Sequence, residues 1–62
     1  MKDGIYRSDN ALYYVLNKQI LMKLMGQWYR TNENFMQGDY VEELPGGIKD
    51  EFSRVYSQVT GW

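Results

Sequence analysis

Few residues in this chain could act on a bound molecule. There is no His and no Cys, so the commonest general base and the strongest side-chain nucleophile are both missing, and neither a zinc site nor a disulfide is available. Carboxylates remain. Asp39, Glu42 and Glu43 lie close in sequence and would suit a hard cation, but no Asp-x-Asp-x-Asp-Gly spacing accompanies them, and a solvated strand edge is the expectation. Gly46-Gly47 could present backbone N–H groups to a phosphate, yet the phosphate-loop pattern and its Lys-Ser/Thr are absent, which leaves a hinge from loop to helix. No catalytic, cofactor-binding or metal-ligating set is expected, and the chain reads as a non-enzyme.

Binding chemistry is better supplied. Six Tyr and two Trp are interleaved with seven Lys and Arg, and aromatic and Arg side chains are the types that dominate binding hot spots. Whether they form a surface depends on the elements that carry them. Residues 10–26 admit two readings. As a helix, Asn10 would cap Ala11 to Met25 and Gly26 would end it, with Leu12, Leu16, Ile20 and Leu24 as an i,i+4 stripe. As a β-meander, Asp9-Asn10, Asn17-Lys18 and Met25-Gly26 are two-residue turns recurring every eight residues, each offering an Asn or Gly for a positive φ.

Side-chain alternation favours the meander, because strands linked by two-residue turns sort every residue onto one of two faces. One face collects Tyr6, Ser8, Ala11, Tyr13, Val15, Ile20, Met22, Leu24, Gln27, Tyr29 and Thr31, with no charge among them. The other collects Ile5, Arg7, Leu12, Tyr14, Leu16, Gln19, Leu21, Lys23, Trp28 and Arg30, whose only charges are basic. A further strand is expected at Tyr40 to Leu44. Pro45-Gly46-Gly47 then opens a helix from about Ile48 to Val59, where Ile48, Phe52, Val55, Tyr56 and Val59 fall on one stripe and Gly61 ends it. Asp50 and Glu51 are placed in its first turn, with Asp50 paired to Arg54.

The expected fold is α+β: a small antiparallel β-meander of about four strands over residues 3–44, with the C-terminal helix 48–59 packed on the uncharged face, all in one domain. If Phe35 and Met36 of the Thr31 to Gly38 connection fold over the other face, the sheet closes toward a small barrel. If they do not, Arg7, Leu12, Tyr14, Leu16, Leu21, Lys23, Trp28 and Arg30 are left as an apolar and basic face, the candidate partner-binding surface.

Size adds a reason for a partner. For 62 residues, folding hides apolar surface worth about 95 kcal/mol against about 93 kcal/mol of conformational entropy, so the domain sits near balance. The face therefore suits a non-catalytic protein-interaction or structural module, a homo-oligomer or a small subunit of a larger assembly such as a phage virion. The competing expectation is weak single-stranded nucleic-acid binding, with Tyr14 and Trp28 stacking bases and Arg7, Lys23 and Arg30 meeting phosphates. The net charge of −1 supplies no long-range attraction for it. No apolar run approaches the ~20 residues of a membrane helix and Met1-Lys2-Asp3 does not begin a signal peptide, so a cytoplasmic or virion location is expected, with no membrane partner.

Overall fold

Two of the three short turns adopt the backbone that right-twisted hairpins require. Asn17 and Lys18 have φ of 51° and 67°, and Met25 and Gly26 have φ of 52° and 81°, so both connections are primed turns that keep the flanking strands in register. Asp9-Asn10 differs. Neither residue has positive φ; that turn is closed by Ser8, whose N–H donates to the Ala11 carbonyl at 2.9 Å and whose Oγ accepts from the Ala11 N–H at 3.2 Å. The computed structural model describes residues 1–59, and the expected helix stop at Gly61 lies outside them.

These turns generate an antiparallel meander of β1 (Gly4–Arg7), β2 (Ala11–Leu16), β3 (Gln19–Leu24) and β4 (Gln27–Thr31), with β5 (Asp39–Glu42) joining β1 at the far edge. The sheet order is β4-β3-β2-β1-β5. It is five-stranded and open rather than closed toward a barrel. The α+β class is as expected, and residues 10–26 are two strands. Their register, Tyr13 opposite Met22 and Tyr14 opposite Leu21, reproduces the face sorting.

What covers each face is the reverse of the expectation. The charge-free face holds Tyr6, Tyr13, Val15, Ile20 and Met22 as a buried cluster, and it is the 32–38 connection that crosses it, laying Met36 on the cluster and leaving Phe35 52% exposed. The connection is self-bonded, with the Phe35 N–H donating to the Asn32 carbonyl at 3.0 Å and the Gly38 N–H to Met36 Sδ at 3.1 Å. Gly38 is there because space is short. A Cβ on it would sit 3.0 Å from the Arg7 nitrogen and from Tyr13 Cδ1.

The helix α1 (Gly46–Gln58) lies instead on the face that carries the basic residues. A cleft is lined by Tyr14, Leu21, Lys23 and Trp28 from the sheet and by Ile48, Glu51, Phe52 and Val55 from the helix. Phe52 and Leu21 are each 1% exposed. The reason is topological. With the 32–38 connection already on one face, the chain leaving β5 has only the other on which to bury the stripe. The helix starts at Gly46, capped by Pro45, so Asp50 and Glu51 fall beyond its first turn, which has no acid. Arg54 pairs with Glu51 at 3.5 Å rather than with Asp50.

Candidate interaction surface

With the helix in place, the basic face divides into two rows. In the inner row, Ile5, Tyr14, Leu21 and Arg30 are successive cross-strand partners. Ile5 and Leu21 are buried in it, and Arg30 holds its guanidinium 4.8 Å from the Tyr56 ring centroid. In the outer row, Arg7, Leu12, Lys23 and Trp28 are successive partners. Leu12 and Trp28 are half-buried, and Arg7 and Lys23 are exposed. Leu16, also half-buried, stands at the opposite rim beside the Asn17-Lys18 turn. Sequence reasoning placed all eight residues on one face, and the structure does so. It does not leave them equally open.

Aromatic geometry knits the two rows together. The Tyr14 and Trp28 rings lie 4.9 Å apart at 46°, and Lys23 Nζ stands 5.5 Å over Trp28. These are favourable ring and cation–π arrangements. Two of the three cations on this face, Lys23 and Arg30, stand over aromatic rings while remaining exposed, an arrangement compatible with a helix packed alongside. Between sheet and helix the cleft has a volume of about 240 Å³, floored by Leu21 and Tyr14.

One surface residue escaped sequence reasoning. Met25 is 93% exposed and sits in the left-handed region at the tip of the β3–β4 hairpin, where Asn, Asp or Gly is the usual occupant. It borders a shallow depression with Arg7, Leu12 and Lys23. The available signal was the turn itself, an apolar residue at a position that favours a polar one.

Of the acidic residues, Asp39 and Glu42 lie on the β5 edge, while Asp9 borders the depression beside Met25 and Glu51 lines the sheet–helix cleft. Asp39 pairs in register with Arg7, and Glu42 with Ile5. Among the described residues, no three carboxylates converge on a point that could hold a metal ion, and no helix is long and apolar enough to cross a membrane. No protein-family model, curated protein or solved structure matches the chain.

Proposed function

We propose that the chain is a non-catalytic interaction or structural module that meets a protein partner, or further copies of itself, through the strip α1 leaves open. Arg7, Leu12, Lys23 and Trp28 form that strip, with half-buried Tyr14 and exposed Arg30 of the inner row beside it. Leu21, 1% exposed, is buried instead of offered to a partner, and Leu16 lies apart at the opposite rim. The observation that carries this reading is the outer row. Half-buried Leu12 and Trp28 alternate along it with exposed Arg7 and Lys23, Met25 borders Arg7, Leu12 and Lys23, and Trp, Arg and Met are enriched at protein interfaces. Stacking of nucleic-acid bases is less well supported, since the Tyr14 and Trp28 rings already face each other and Trp28 also carries Lys23.

The test is a double charge reversal, Arg7→Glu with Lys23→Glu. Both side chains are exposed, so the thermal melt should stay within about 1 kcal/mol of the parent. Self-association in sedimentation velocity, or retention of a partner by the immobilised chain, should weaken by roughly tenfold or more. Unchanged association would overturn the reading. So would tight binding of a single-stranded oligonucleotide that collapses with added salt.

A further inference from the structure

The two edges of the sheet are built differently. β5 is short and exposed throughout, carries Asp39 and Glu42 and leads into Glu43. Its ladder with β1 is broken by an extra residue, Val41, between the Tyr6–Tyr40 and Ile5–Glu42 pairs. Acidic charge, shortness and a bulge are the devices that keep an edge from recruiting another strand. β4 has neither a bulge nor an acid: it is a regular Gln-Trp-Tyr-Arg-Thr strand, in continuous register with β3 from Gln27 to Thr31.

Because the two-residue turn makes Leu24 and Gln27 a hydrogen-bonded pair, the N–H and C=O groups of Gln27, Tyr29 and Thr31 point at β3. Those of Trp28 and Arg30 then point outward. We infer that this edge pairs with the same edge of a second copy, antiparallel about a two-fold axis through Tyr29, an inference that rests on the interaction-module reading and names its partner.

The side chains select that register. Centring the axis on Arg30 would set two guanidinium groups opposite each other, which like-charge repulsion disfavours. Centring it on Trp28 would leave Arg30 opposite Gly26. Centring it on Tyr29 sets each Arg30 opposite Trp28 of the other copy, with Tyr29 opposite Tyr29 on the charge-free side. Arg30 and Trp28 occupy the same face as the helix, where Arg30 already lies over Tyr56, so the cation–π series continues across the axis. A contact of this kind is isologous and closes at two copies. The head-to-tail alternative, β4 on β5, would match Arg30 to the acidic edge but must cross the Val41 bulge.

The experiment exploits a chain with no Cys. In the paired edge Tyr29 is a non-hydrogen-bonded pair with itself, with Cα atoms about 4.5 Å apart, inside disulfide range. Tyr29→Cys should therefore cross-link to a covalent dimer under mild oxidation, while Val41→Cys on β5 should not. A synthetic chain N-methylated at Arg30 keeps every side chain and every intramolecular ladder bond but loses the outward N–H. Its dimer dissociation constant by sedimentation equilibrium should rise roughly thirtyfold or more, because each dimer loses two hydrogen bonds, with the circular dichroism spectrum unchanged.

A parent chain that stays monomeric at every concentration overturns the inference, as does Val41→Cys cross-linking faster than Tyr29→Cys, or a mass that grows past two copies. Should the N-methylated chain still dimerise while the Arg7→Glu, Lys23→Glu variant does not, the edge pairing falls and the interaction-module reading stands.

Discussion

The two faces of one sheet solve the same burial problem with unequal means. The charge-free face is closed by a short connection: Tyr6 and Tyr13 are 8% and 4% exposed, with Met36 of the 32–38 segment packed on their cluster and Gly38 passing close to both. The basic face cannot manage this. Its apolar residues are separated by cations, so it needs a helix whose Phe52 reaches the sheet and whose Phe52 and Tyr56 rings stack 5.7 Å apart. Formal charge on a face is thus a poor guide to whether it is covered. Lys and Arg tolerate a neighbouring element when aromatic rings lie beneath their charged groups.

The helix-covered face should be the easier to break. Phe52→Ala removes the one buried side chain of α1, and should cost about 3 to 5 kcal/mol, enough to unfold a domain this small. Urea titration followed by far-ultraviolet circular dichroism reads it. A variant whose unfolding midpoint stays near the parent's would mean that the sheet is stable without its helix, and that the first face alone is the core.

Next in size is the N-terminal anchor of the charge-free face. Gly4 has φ of 154°, and a Cβ there would stand 2.5 Å from Tyr40 Cε1 and 2.8 Å from the Glu42 carbonyl oxygen. Tyr40 meets Tyr6 edge-on at 5.4 Å, and the Tyr6 hydroxyl donates to the Lys2 carbonyl at 2.7 Å. Gly4→Ala must therefore move Tyr40 or the β5 backbone, at a cost of about 2 to 4 kcal/mol. Hydrogen exchange should show the loss concentrated in β5 and β1. Protection lost evenly over all strands would mean that β5 is no separate unit of the fold.

A smaller effect tests how cations are accommodated on the second face. A double-mutant cycle of Arg30→Gln and Tyr56→Leu should return a coupling of about 0.5 to 1 kcal/mol, insensitive to moderate salt because the ring is partly shielded. Zero coupling would make Arg30 a solvated charge, and acceptance of the helix would rest on apolar packing alone.

How legible this was in the sequence follows the same division. Strand positions and faces could be read because turns eight residues apart fix alternation without any tertiary information, and Tyr13, Val15, Ile20 and Met22 fall together on that rule alone. The helix was legible from its stripe. Which face the helix covers was not, because that depends on where the 32–38 connection crosses, and Asn32-Glu33-Asn34 carries no face preference. The eight candidate residues share one face for the same alternation reason, but Leu21 is buried there, and which of them the helix covers needed the position of Phe52.

The smallest predicted effect concerns the open row and runs toward greater stability. Met25 occupies the first central position of a primed turn, with φ of 52° and 93% exposure, so its side chain gains almost nothing from the fold while its backbone is held where Asn is preferred. Met25→Asn creates an Asn-Gly turn. It should stabilise the domain by about 0.5 kcal/mol, raising the melting temperature by roughly 2 to 4 °C. The comparison with Lys18 in the β2–β3 turn sharpens this, since Lys18 also has positive φ, at 67°, but carries a solvated side chain. Lys18→Gly should relieve the same backbone preference without touching the open row. If Met25→Asn instead lowers the melting temperature, the thioether packs on the domain, and the strip beside Leu12 and Lys23 is shielded by the chain's own residues.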